Sequence, residues 1–296
     1  MKNKINGEYI TVLPQLGARL NEVVLLKNKT SYSVISKLES EDFEVRDNQF
    51  NNAKLFPFAN RLQAGEYTFE GKIYNLAKNY PEENNACHGF VYNRPFEYEG
   101  AVLSENCGEL KFSYQYYGDD NGYPFPFKLF VSYKLLSDGR VDCETKVRNL
   151  SDSKLPFSDG WHHYFTLGKS IDELTMEMEV NKYKLLNNNG IPEREVSLDK
   201  NESRFELKNK FFDTIFVAKD QPKIVTKLMS EDICLNICQE SISGSYKYLN
   251  VYTPPHRNSI AIEPMTSNIN AFNNKEGLVM LEPEEEWVSV MGIFLN

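Results

Sequence analysis

The sequence predicts an all-β protein, a large antiparallel sandwich formed as a single domain over residues 1–296, and three observations lead there. Apolar and polar residues alternate with period 2 along much of the chain, as strands with one buried and one wet face require. No window of a dozen residues carries a 3.6-residue period with a cap at each end. No Gly-, Pro- or Ser-rich linker, low-complexity tract or internal repeat divides the chain, and sandwiches of this length occur as one domain.

The alternation places strands at 8–13 and 31–37, then at 66–76, where Tyr67-Thr68-Phe69 and Lys72-Ile73-Tyr74 flank a hairpin turn at Glu70-Gly71. Residues 110–116 put Leu110, Phe112, Tyr114 and Tyr116 on one face and Lys111, Ser113 and Gln115 on the other. A strand at 128–136 precedes 140–148, where Val141, Cys143, Thr145 and Val147 alternate with charged neighbours. Further strands are expected at 158–167, 174–186, 223–228, 233–239, 246–253, 259–263 and 287–294.

A formal net charge of -9 disfavours nucleic acid and anionic membrane as partners, since both are bound by surplus Lys and Arg. Five cysteines, an odd count without a CxxC pair, argue against a disulfide or zinc framework. With no apolar run of spanning length and no secretory h-region, a cytoplasmic location is expected.

Five segments carry residue types able to do chemistry. In 57–62, Arg61 lies among Phe58, Ala59 and Leu62 beside Asn60; its fixed donors suit polar recognition, or it holds a loop. His88 precedes Gly89, which permits a tight turn or close approach of a ligand. His162 and His163 stand together in the aromatic strand at 158–167, so His162 and Tyr164 share one face while Trp161, His163 and Phe165 share the other. Only one of the two histidines can look into a given cleft; a satisfied core histidine is the competing role for each. Asp213 sits between Phe212 and Thr214-Ile215-Phe216 and either accepts sugar hydroxyls or caps a turn. Glu263 faces away from Ile260 and Ile262; Pro264 is expected to keep it extended and to end sheet pairing there.

Taken together, PFANRL at 57–62, HGF at 88–90, PFSDGWHHYFTL at 156–167, FDTIF at 212–216 and IEPMTSNINAFN at 262–273 resemble, in order, the aldose 1-epimerase (mutarotase) family. The resemblance implies the galactose mutarotase-like β-supersandwich, with Glu263 as general base and His162 as general acid. Arg61, Asn60, His88 and Asp213 would hold the hydroxyls and ring oxygen of a hexose or related aldose. It implies no metal and no organic cofactor, and a carboxylate and an imidazole facing each other across a sugar-sized hollow.

The chain departs from the family pattern at Trp161, where the galactose-type branch usually has Asn, at His163, and at Glu284, where a glycine is usual. Three other readings stand beside this one. A hexose-6-phosphate 1-epimerase would draw on Arg94 or Lys54 for a phosphate site. A non-catalytic sugar-binding or sensor protein would keep the fold without the proton relay. A glycoside hydrolase or lyase would pair Glu263 with Asp213.

Overall fold

The computed structural model describes residues 1–39, 50–199, 203–240 and 245–296. Among these, the strands gather into two large antiparallel sheets and several small ones. The nine-stranded sheet runs Arg204–Glu206, Thr175–Met178, Lys223–Met229, Cys234–Glu240, Glu286–Leu295, Val141–Asn149, Phe127–Leu136, Cys107–Tyr116, Glu97–Leu103. The eight-stranded sheet runs Pro192–Ser197, Val180–Leu186, Asp213–Ala218, Tyr248–Tyr252, Ile260–Met265, Gly160–His162, Ala53–Leu55, with Tyr164–Phe165 also paired to Ile260–Met265.

Alternation explains how the two sheets meet. In Phe127–Leu136 and Val141–Asn149 the buried positions recur with period 2, and they include Val131, Tyr133, Val141, Cys143 and Val147. These join Trp161, Leu249, Val251, Ile260 and Ile262 of the other sheet in one apolar cluster. Tyr133 and Trp161, one from each sheet, bring their rings to 5.9 Å. The opposite face of the eight-stranded sheet is thereby left to carry polar side chains. No helix among the described residues is long and apolar enough to cross a membrane.

The hairpin forms as read, Glu66–Phe69 pairing with Lys72–Asn75 through left-handed Glu70 (φ 49) and Gly71 (φ 78). Two expectations need correction. The expected strand at 174–186 is two strands in different sheets, Thr175–Met178 and Val180–Leu186; the buried-exposed rhythm continues through Glu179, so periodicity alone cannot register the crossing. Pairing does not end at Pro264: Leu249 lies opposite Pro264, and Tyr248 and Gly160 both pair with Met265. Proline forfeits one N–H, which leaves the ladder free to resume at the next residue. Strands such as Ala53–Leu55 and Asn85–Cys87, buried at every position, and Glu97–Leu103, exposed at nearly every position, lack the alternation that would have announced them.

Candidate active site

The face alternation at 160–165 settles which histidine meets the cleft. His162 and Tyr164 line it, whereas Trp161, His163 and Phe165 are wholly buried in the core. His163 stacks on Trp161 with ring centroids 5.4 Å apart, and burial takes its pKa down to about 3, so the ring is neutral. Trp161 gives its Nε1–H to the Tyr246 hydroxyl at 2.8 Å, and that hydroxyl donates to Asp159 Oδ2 at 2.8 Å. The departures at Trp161 and His163 are therefore core adjustments that do not touch the cleft. Glu284 is likewise absent from the lining; it adopts φ 64, the left-handed conformation in which glycine is unstrained.

Glu263 follows from the same parity rule. Ile260 and Ile262 point into the core, and Glu263, in register with Asn250 on the neighbouring strand, points to the cleft face. Asn250 Nδ2 donates to Glu263 Oε1 at 2.8 Å, and His162 Nε2 lies 3.4 Å from the same oxygen. The pair thus stands side by side at the cleft floor, not on opposite walls as expected. Adjacency suits the chemistry that the resemblance implies, because the ring oxygen and O1 of a hemiacetal are bonded to one carbon and two groups serving them must converge.

The segment after Ala53–Leu55 and the segment after Asn85–Cys87 are tied together by pairing of Arg61 with Cys87 and of Phe56 with Gly89. Asn60 and His88 adopt left-handed φ values of 61 and 63. Gly89 follows with φ 68, and a Cβ there would fall 2.0 Å from the Phe56 carbonyl oxygen, so only glycine fits. His88 N–H donates to Asn60 O at 3.0 Å, and Asn60 N–H donates to His88 Nδ1 at 3.2 Å. The neutral His88 ring consequently carries its proton on Nε2, as a donor.

Arg61 is gripped by Glu83 (Nε–Oε2 2.5 Å, Nη2–Oε1 3.0 Å) and reaches Asp213 Oδ2 at 3.1 Å. Asn60 Oδ1 accepts from Arg61 Nη1 at 3.3 Å, so Asn60, Arg61 and Asp213 form one polar wall. The residues that the family resemblance assigns to the site all line the same cavity of about 680 Å³. Phe50, Tyr80, Glu83, Asn250 and Tyr252 line it too and were not foreseen. Asn250 shows itself only through its register with Glu263, and Glu83 only through the fold.

Burial dominates the electrostatics. It raises the Glu263 carboxyl to about 8; Asp213 adds to the rise, while the Asn250 hydrogen bond and Arg61 oppose it. Burial also lowers His162 to about 4 and takes His88 far below its ordinary value, His162 and Arg61 contributing to the latter. Lys54 does not serve the cleft. It is fully buried in an ion pair with Asp159 (2.6 Å), donates to Gly160 O at 3.1 Å and lies over the Trp161 ring. Arg94 is not among the lining residues either, so both basic groups proposed for a phosphate are absent from the described cavity wall.

His88, His162 and Glu263 present ligand atoms within 4.8 Å of one another. The Asn60 N–H occupies His88 Nδ1 and fixes the proton on Nε2, which leaves His88 without a lone pair to give a metal. The Nε2–H so placed can donate to an oxygen acceptor in the cleft.

Comparison with known proteins bears on the family and the fold. Residues 4–293 match the family model described as aldose 1-epimerase. The uncharacterized protein YihR of Escherichia coli K12 is 24% identical over 236 residues, covering 77% of this chain and 73% of that one. In fold, the chain is similar to a galactose mutarotase-like protein from Clostridium acetobutylicum, with TM-score 0.87, 21% identity, and coverage of 98% of this chain and 93% of that one. It is also similar to galactose 1-epimerase from Lactobacillus acidophilus NCFM, with TM-score 0.83, 18% identity, and coverage of 99% and 92%. On the family match across nearly its whole length, together with the shared β-sandwich, the chain belongs to the aldose 1-epimerase family.

Proposed function

We propose that this protein interconverts the α and β anomers of an unphosphorylated hexose or related aldose, with Glu263 and His162 as the acid–base pair. The observation that carries the reading is the approach of His162 Nε2 to within 3.4 Å of Glu263 Oε1 at the floor of a sugar-sized cavity. Glu263 as carboxylate takes the O1 proton while His162 as imidazolium protonates the ring oxygen, and the C1–O5 bond breaks. The open aldehyde turns about C1–C2 and recloses on its other face, both protons returning. One proton shared by the pair suffices for the cycle, and burial leaves the empty pair holding one at neutral pH. Tyr164, Tyr252 and Phe50 offer apolar faces to the sugar ring, and His88, Arg61, Asn60 and Asp213 offer polar atoms to its hydroxyls.

An acidic lining of Glu82, Glu83 and Asp213 around the already paired Arg61 weighs against a sugar phosphate. Asp213, engaged by Arg61, is poorly placed to act as a glycosidic acid. Polarimetry of freshly dissolved α-D-glucose and α-D-galactose tests the proposal: the protein accelerates the drift, and Glu263→Gln and His162→Gln each reduce the rate by about 10²-fold or more. An unchanged drift with wild-type protein across a panel of aldoses refutes it.

A further inference from the structure

Asn250 is 3% exposed and stands opposite Glu263 in the strand register. Its Nδ2 donates to Glu263 Oε1 at 2.8 Å, while its own Oδ1 is buried without a hydrogen-bond partner, as is Glu263 Oε2. An asparagine kept for structure would be expected to satisfy both ends of its amide. Here the amide spends its donor on the one carboxyl at the cleft floor and gains nothing at the other end. With Oε1 taken by the amide and next to His162, Oε2 is the oxygen left with an unshared lone pair.

We infer that Asn250 is a positioning residue that holds Glu263 with Oε1 occupied and Oε2 free to take the substrate proton. The inference rests on the acid–base reading of Glu263. The titratable and charged groups around that carboxyl are His162, His88, Arg61, Asp213, Tyr164 and Cys87. None of them replaces the amide, because the two histidines are neutral by burial and Arg61 is bound to Glu83 and Asp213. The hydrogen bond favours the ionised carboxyl, so its removal leaves less carboxylate available at any pH in the working range.

Asn250→Leu, close in size and lacking the donor, tests this by polarimetry against pH and by infrared spectroscopy. The expected result is a kcat lower by about 10- to 100-fold, KM changed by less than about 3-fold, and an alkaline limb about one pH unit or more higher. The protonated-carboxyl band of Glu263, identified by its loss in Glu263→Gln, should persist to correspondingly higher pH. If the leucine variant does not fold, Asn250→Asp serves, since its carboxylate repels that of Glu263 and moves limb and band in the same direction. A limb and band left where the wild type has them overturn the inference. Absence of wild-type mutarotation would instead sink the proposed function, and the infrared band alone would then still decide whether Asn250 controls Glu263.

Discussion

Replacing Glu263 by glutamine should make the protein's stability less sensitive to alkali. In the unfolded chain this carboxyl ionises near its ordinary 4.5, whereas burial holds it at about 8 in the folded state. A group whose folded pKa is raised contributes its full stability below the unfolded value and loses it as pH rises through the folded one. At 1.36 kcal/mol per pKa unit, the folding penalty from Glu263 grows by about 3 kcal/mol between pH 5 and pH 8. The amide of Glu263→Gln does not titrate and escapes that growth.

The substitution has a second, pH-independent effect: an amide placed where Glu263 Oε2 has no partner costs about 1–3 kcal/mol. The informative quantity is therefore the change in the stability difference between the two pH values. His162, lowered to about 4 by burial, loses stability as pH falls from 6.5 through that value in both proteins, and this largely cancels. Urea unfolding followed by circular dichroism at pH 5 and pH 8 measures the difference directly. Parallel stability curves for wild type and Glu263→Gln would show that burial does not hold this carboxyl protonated.

Four further outcomes are expected. Activity should be bell-shaped in pH, falling below about 4 as the Glu263–His162 pair gains a second proton and above about 8 as it loses its only one, read from initial polarimetric rates. Gly89→Ala should lower stability by about 3 kcal/mol or more through the clash with Phe56 O and the left-handed backbone, with loss of activity as His88 shifts; an unchanged thermal midpoint would exclude that contact. Lys54→Met should cost about 3–5 kcal/mol in chemical denaturation by stranding the buried Asp159 carboxylate, and a neutral outcome would mean that the pair is dispensable. Glu284→Gly should stabilise by about 0.5–1 kcal/mol, the relief of φ 64 outweighing loss of the exposed ion pair with Arg148; destabilisation would mean the ion pair dominates.

Parity made much of the site legible. Putting His162 and His163 on opposite faces and turning Glu263 away from Ile260 and Ile262 need only the alternation of side chains along a strand; that His162 is the one at the cleft came from the family resemblance, and the structure agrees. The Glu70-Gly71 turn is equally local. Parity fails where a segment is buried on both faces, as at Ala53–Leu55, and it is blind to the sheet change at Glu179. Lys54 shows the limit most clearly: its charge suggested a phosphate contact, yet strand pairing with Trp161 puts it in the core beside Asp159.

From sequence alone came the all-β class and the faces of the histidine strand, because backbone sterics and side-chain period act over a few residues, while the residues of the cleft came from the family resemblance. Tertiary structure alone decided that Asn250 would grip Glu263, that Glu83 would clamp Arg61, and that His162 and Glu263 would stand side by side. Those contacts depend on which strands pair and in what register, a choice made by burial of the whole core and not by any one segment.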